Sequence, residues 1–122
     1  PETETVSPFS GRGDQDCAGR VMLDLMAPAE MVRSAKAGGG YDVFTGTSMA
    51  APFVSGSAAL MMEWGIVQGN DLFLYGQRVK AFLCKGALRS PFLTYPNPQW
   101  GYGRLNLCGT MNELVNHVER GL

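Results

Sequence analysis

The sequence is short of the residues that most often build catalytic and metal sites. It has one histidine, His117, and three cysteines among 122 residues. The cysteines, Cys17, Cys84 and Cys108, are widely separated and form no C-x-x-C pair, so they indicate neither a disulfide framework nor a zinc site. Two arrangements stay open: three reduced thiols, or a single bridge, for which Cys84–Cys108 is the favoured pair.

The chain also lacks an excess of charge of either sign. Lys and Arg number 10, Asp and Glu 11, and the net charge is −1. Without a basic stripe, nucleic acid is not an expected partner. The run Gly38–Gly40 lacks the G-K-[ST] of a phosphate-binding loop, and the spacing of Asp14, Asp16 and Asp24 fits no EF-hand. We therefore expect no cofactor and no metal ion.

Glycine and apolar residues are plentiful, with 16 glycines and 45% hydrophobic residues. The chain shows no repeat and no internal boundary, so residues 1–122 are read as part of one domain. Periodicity and turn signals predict the following elements: strands at 6–10, 21–27, 31–34 and 41–45; loops at 37–40 and 90–98; a strand or hairpin at 100–107; and helices at 47–64, from Asn70 or Asp71 to Lys85 with Gly86 ending it, and at 111–120.

The predicted helix at 47–64 has one charged residue, Glu63, and many small ones. A helix that is apolar or small all round is buried, so we expect it to be the central helix of a larger core. A membrane span is the competing interpretation, because the segment is long enough. Its three serines, Thr47, Gly56 and Pro52 disfavour a span, and no Lys or Arg anchors follow at once.

The segment 44–56, FTGTSMAAPFVSG, carries the chemistry. It places Ser48 where a glycine-containing turn enters a helix, whose unpaired N–H groups and partial positive charge stabilise a nearby oxyanion. Gly46 leaves room for a substrate backbone. Pro52 has no N–H to bond the Ser48 carbonyl, so we expect the regular helix to be confined to its later turns.

This segment resembles the active-site serine motif of subtilases, G-T-S-M-A-x-P-x-V-x-G, with Phe53 where histidine is usual. Phe9–Gly13 is similar to the family's F-S-x-x-G loop, and Gly101–Asn106 to its closing G-x-G-x-[LV]-[ND] element. Asp24–Pro28 is similar to its P-D-[LV]-x-A-P-G strand, from which this sequence departs with Leu23 for the proline and Ala29 for the glycine. The stretch 64–97 is similar to clostridial germination-specific subtilases. The resemblance implies an α/β, three-layer sandwich with a mainly parallel sheet, of which this chain is the C-terminal portion.

The resemblance also implies a function. Ser48 would attack the scissile carbonyl and form an acyl-enzyme, its N–H serving as one oxyanion donor, with Gly46, Thr47 and Met49 shaping the site. The family's D-[ST]-G and H-G-T motifs are absent. Asp and His are therefore expected on a complementary N-terminal chain, and the start at Pro1 suggests processing of a longer precursor. A peptide or protein substrate and a secreted, spore or cell-envelope location are implied.

Other function classes stay open. The assembly is a pseudoprotease if the N-terminal chain lacks Asp or His, and this chain is an inert fragment if it has no partner. A triad of Ser48 with Asp71 and His117 is disfavoured, because Ala50 breaks the G-x-S-x-G elbow that such an order requires. The tripeptide Arg12–Asp14 resembles an integrin-binding motif, but it is a short match that arises by chance.

Overall fold

The computed structural model describes residues 5–8, 10–11 and 23–120. The loop motif from Phe9, the RGD tripeptide and Cys17 lie wholly or largely outside these residues. The elements follow in the order β1 (Val32–Ala35), β2 (Tyr41–Phe44), α1 (Thr47–Met62), a short π-helix (Glu63–Val67), α2 (Gln77–Lys85) and α3 (Leu107–Glu119). Residues 5–8 and 10–11 form no strand, contrary to prediction. Of the predicted strand at 21–27 the structure describes residues 23–27, and among these only Met26 makes a bridge.

β1 and β2 form an antiparallel hairpin that ends two residues before α1. Val32 pairs with Phe44 at its base and Ala35 with Tyr41 near its tip. The loop between them includes Gly38–Gly40, all three with positive φ, as a tight reversal requires. The predicted strands and loop are confirmed here, with the strands shifted by about one residue, which is the usual uncertainty at an element boundary.

α1 differs from prediction in two ways. The helix is regular from Thr47 onward and contains Pro52, so the proline does not confine it to its later turns. Proline costs one hydrogen bond, to the Ser48 carbonyl, without ending the helix. Only Ser57 and Met61 of α1 are buried. The expected burial on all sides is therefore not seen in this chain, because the described residues pack against one face only.

A small core lies where α1 meets the later helices. Met61, Leu74 and Leu114 are fully buried. They pack with three residues of α2: Val79, Phe82 and Leu83. A Cβ added to Gly65 would lie 2.8 Å from Cδ2 of Leu74, so the absence of a side chain there lets the segment before α2 pack closely on the π-helix.

α2 begins at Gln77 and not at Asn70 or Asp71 as predicted. The Asp71 side chain accepts hydrogen bonds from the Phe73 N–H, at 3.1 Å, and from Arg78 Nε, at 2.8 Å. Such an Asx-type bond stabilises a turn in competition with a helix cap. Leu72 and Tyr75, which fit the helical spacing, are exposed in this turn.

The predicted loop at 90–98 is confirmed and contains a cis Tyr95–Pro96 peptide bond. The strand predicted at 100–107 is reduced to isolated bridges, and α3 begins at Leu107, four residues earlier than predicted. Asn106 caps α3, because its Oδ1 accepts a bond from the Gly109 N–H. Gly86, which ends α2, packs against Thr110 of α3.

Cys84 and Cys108 are both free, Cys84 buried and Cys108 exposed. Of the two arrangements that the sequence left open, the Cys84–Cys108 bridge is therefore not formed, and the reduced arrangement is confirmed for these two residues. Burial, with a smaller contribution from the charge of Asp24, raises the pKa of the Cys84 thiol.

Candidate active site

Ser48 is the second residue of α1 and is exposed. Gly46 precedes the helix with φ 156° and ψ 164°, a conformation that is open almost only to glycine. The nearest atom to a Cβ added at Gly46 is the Ser48 nitrogen at 4.0 Å. The glycine is therefore required by its backbone angles rather than by a lack of space.

The first turn of α1 leaves N–H groups available. No side chain caps the helix, and the first turn holds no acidic residue. The Met49 N–H donates to the Gly46 carbonyl at 3.0 Å. Among the described residues, none accepts a hydrogen bond from the Ser48 N–H. An uncapped N–H at the positive end of a helix is suited to hold an oxyanion, so the geometry agrees with the predicted role of this turn.

The predicted site residues lie on this one turn. Thr47 and Ser48 are exposed, whereas Gly46 and Met49 are half-buried. The hydroxyl of Ser48 makes no hydrogen bond to any described residue. Within residues 23–120, therefore, no histidine or carboxylate contacts the serine as a base.

His117 and Asp71 both contact Arg78, away from Ser48. Arg78 Nη2 forms an ion pair with Asp71 at 2.8 Å, and the same nitrogen lies 3.4 Å from His117 Nε2. The His117 ring packs edge-on against Phe82, with ring centroids 5.4 Å apart. These residues connect α2 to α3 and have no contact with Ser48. The alternative triad is thus not assembled in the described structure.

The segment after Leu23 connects the serine turn to the C-terminal element. The Ala29 carbonyl accepts from the Gly46 N–H at 2.8 Å, and the Met26 carbonyl accepts from the Leu105 N–H at 2.8 Å. Met26 and Arg104 form a parallel bridge. Three sequence elements that were singled out separately are therefore joined in space.

Two glycines make that junction possible. Gly101 has φ 58°, and a Cβ there would lie 2.5 Å from the Asp24 carbonyl oxygen. Gly103 has φ 127°, and a Cβ there would lie 2.4 Å from the Leu88 carbonyl oxygen. Both the backbone angles and the close contacts exclude a side chain. Their pattern was visible in the sequence, but the partners across the fold were not.

Two residues beside the site were missed by sequence reasoning. Thr45 Oγ1 accepts a 2.9 Å hydrogen bond from the Met31 N–H. The Ala29 carbonyl holds Gly46 as described above. For the Thr45 bond, the only signal in the sequence is a hydroxyl residue directly before Gly46. The Ala29 bond is made by a backbone carbonyl, which gives no signal in the sequence.

Within the described part of the chain, no group of three or more histidine, cysteine or acidic residues could hold a metal ion. Thr47–Val67 is long and apolar enough to cross a membrane by length and composition, with 17% of its most apolar window buried. Core helices of soluble proteins meet the same criterion. The serine motif at its start and the core contacts of Met61 agree with a core helix.

Comparison with known sequences identifies relatives among proteases. The peptidase S8, subtilase family model matches residues 1–103. Subtilisin-like protease 7 of Arthroderma otae is 44% identical over 62 residues, which are 51% of this chain and 15% of that protein. Subtilisin E of Bacillus subtilis is 50% identical over 53 residues, which are 40% of this chain and 14% of that protein. The chain thus spans a small part of these relatives.

Solved structures give the same assignment. The CspB protease of Clostridium perfringens superposes with a TM-score of 0.87 and 50% identity over 92% of this chain, which corresponds to 24% of that chain. The patellamide maturation protease PatA superposes with a TM-score of 0.64 and 29% identity over 85% of this chain and 42% of that one. This chain therefore belongs to the subtilase family, and its structure is the C-terminal portion of the α/β subtilase fold.

Proposed function

We propose that this chain supplies the nucleophile of a serine endopeptidase, with Ser48 attacking the scissile carbonyl of a peptide or protein substrate. The observation that supports this most directly is the exposed Ser48 at the uncapped N-terminus of a 16-residue helix in a subtilase fold. Its hydroxyl oxygen adds to the carbonyl carbon while the general base takes the hydroxyl proton. The protonated base then gives that proton to the amine, which leaves as the C–N bond breaks, and water hydrolyses the resulting acyl-enzyme.

The first turn of α1 stabilises the tetrahedral intermediate. The Ser48 N–H donates to the oxyanion, and the helix terminus adds partial positive charge. Gly46 carries no side chain beside the substrate backbone, and the half-buried Met49 packs next to the nucleophile. This turn needs no metal ion or cofactor for the step proposed.

The general base and its carboxylate partner are proposed to come from a complementary N-terminal chain. His117 and Asp71 are held at Arg78, away from Ser48. The surface of α1 supports the proposal, because Phe53 and Leu60 are 41% and 60% exposed on an otherwise small and apolar helix. A surface of this kind is buried in a larger domain. We also propose a location outside the cell or in a spore or cell envelope, which the family resemblance supports.

The test is peptide hydrolysis by the intact protein, purified with whatever chain accompanies it. Ser48→Ala is expected to lower turnover by up to about a million-fold, as loss of a triad member does. Ser55→Ala, on the same helix and also exposed, is the matched control and is expected to retain activity. A wild-type protein that binds peptide without hydrolysing it would support a pseudoprotease. Loss of activity in neither variant would exclude Ser48 as the nucleophile.

A further inference from the structure

Thr45 occupies the single position between the end of β2 and the glycine that begins the serine turn. Its Oγ1 accepts a 2.9 Å hydrogen bond from the backbone N–H of Met31, which directly precedes β1. Backbone pairing of the hairpin ends at Val32 and Phe44. The threonine hydroxyl therefore extends the ladder by one bond beyond the point where backbone pairing stops.

Met31 is the non-glycine residue with positive φ, 52°, in the described structure. This conformation is uncommon for a residue with a long side chain. Because the Met31 side chain is 76% exposed, side-chain packing does not explain the conformation. The bond from its N–H to Thr45 is a contact that holds this strained residue in place.

Two bonds connect the segment 29–31 to the start of the serine turn. One is the Met31–Thr45 bond, and the other runs from the Gly46 N–H to the Ala29 carbonyl at 2.8 Å. On the helix side, the Met49 N–H holds the Gly46 carbonyl at 3.0 Å. Ser48 lies directly after the residues that make these bonds. The direction of its N–H and hydroxyl therefore depends on how the segment 29–31 is bonded to Thr45 and Gly46.

We propose that Thr45 is a positioning residue for Ser48, acting through its hydrogen bond to Met31. The proposal rests on the proposed function of Ser48. Thr45 holds Met31 and with it the segment 29–31, whose Ala29 carbonyl holds the Gly46 N–H. Gly46 in turn sets the direction in which the first turn of α1 presents the nucleophile and its oxyanion donor. Misplacement of reacting groups by a fraction of an ångström lowers the rate of the chemical step more than it lowers substrate binding.

The test compares Thr45→Val and Thr45→Ser in the intact protein, with Thr94→Val, an exposed threonine of the loop at 90–98, as control. Valine keeps the shape and removes the acceptor. We expect Thr45→Val to lower kcat about ten- to a hundredfold with KM within about twofold, and Thr45→Ser and Thr94→Val to stay near wild type. Thermal unfolding of each variant distinguishes lost positioning from lost folding.

Unchanged kcat in Thr45→Val, a change in KM alone, or failure of Thr45→Ser to restore kcat would overturn the proposal. Amide hydrogen exchange gives a readout that does not need activity. Thr45→Val should accelerate exchange at Gly46 and Met49 as well as at Met31, whereas acceleration at Met31 alone would show a local bond without influence on the serine turn. If the wild-type protein neither hydrolyses peptide nor is labelled at Ser48 by a fluorophosphonate, the proposed function fails. The hydrogen-exchange data still decide whether Thr45 positions the serine turn.

Discussion

The backbone N–H of Gly46 donates a 2.8 Å hydrogen bond to the carbonyl of Ala29. This contact joins the segment that follows the D-L-M-A-P element to the turn that presents Ser48. The D-L-M-A-P element itself bonds the C-terminal element through Met26, whose carbonyl accepts from the Leu105 N–H. Ser48 is thus positioned by residues distant in sequence as well as by its own helix.

Gly46 should not tolerate a side chain. Its φ of 156° and ψ of 164° are open almost only to glycine, so Gly46→Ala is expected to cost about 1–3 kcal/mol of folding free energy or to shift the serine turn. Denaturant unfolding and peptide hydrolysis of the intact protein measure the two effects. Gly11→Ala is the control, because no atom of the described residues lies within 4 Å of a Cβ added at Gly11 and its φ is not positive. Equal stability and activity of the two variants would contradict this account.

Gly86 should be equally restricted, for a different reason. A Cβ there would lie 2.4 Å from the backbone nitrogen of Thr110, which cannot move without displacing α3. Gly86→Ala is therefore expected to destabilise the protein by about 2–4 kcal/mol, in the range of severe overpacking. Thermal unfolding of the intact protein checks this. A melting temperature within one or two degrees of wild type would show that α2 and α3 are not packed as described.

Asp71 should stabilise the turn that delays the start of α2. Its carboxylate is 9% exposed and bonds both the Phe73 N–H and Arg78. Asp71→Ala is expected to lower the free energy of unfolding by about 1–3 kcal/mol, since it leaves Arg78 without its ion partner. Glu63→Ala is the control, because Glu63 makes an exposed bond to Gln68 and should cost under about 1 kcal/mol. A larger loss in the control than in Asp71→Ala would refute this role.

Cys84 should make stability depend on alkaline pH. Burial raises its pKa above the ordinary 9.0, so the folded protein keeps the thiol proton at pH values where the unfolded chain has lost it. This contribution is complete below about pH 9 and decreases as the pH rises toward the folded pKa. Urea unfolding between pH 8 and 10 should show a steeper loss in wild type than in Cys84→Ala.

The exposed Cys108 provides a comparison for Cys84 in a second experiment, which measures the reactivity of the two thiols. Alkylation by iodoacetamide at pH 8 should modify Cys108 at least about tenfold faster than Cys84, because the thiolate is the nucleophile and the buried thiol ionises less. Peptide mass mapping over time gives both rates. Equal rates would mean that Cys84 is not buried in the protein as it exists in solution.

The sequence predicted what depends on local chemistry. Neighbouring residues were enough to predict the turn at Gly46, the serine at the start of α1, the glycine loop of the hairpin and the presence of the last helix, α3. The predicted start of α2 was wrong because Asp71 accepts a hydrogen bond from Arg78, seven positions away, and so stabilises a turn. Leu72 and Tyr75 have helical spacing, yet nothing local distinguishes an exposed turn from a packed helix.

Burial was the least predictable property. α1 reads as a central helix, and in this chain its small and apolar residues are largely exposed, because the described residues pack against one face of it only. The bonds of Ala29 and Thr45 to the serine turn were also hidden from sequence, since they join backbone groups or single hydroxyls across 14 or more positions.

The measurement that tests the central claim most directly is labelling of the intact protein with a fluorophosphonate, followed by mass spectrometry of every chain. The account predicts one phosphonyl adduct, on Ser48, its loss in Ser48→Ala and its retention in Ser55→Ala, together with a co-purifying chain that carries the histidine. An adduct on another residue, or none on Ser48 in a preparation that hydrolyses peptides, would contradict it.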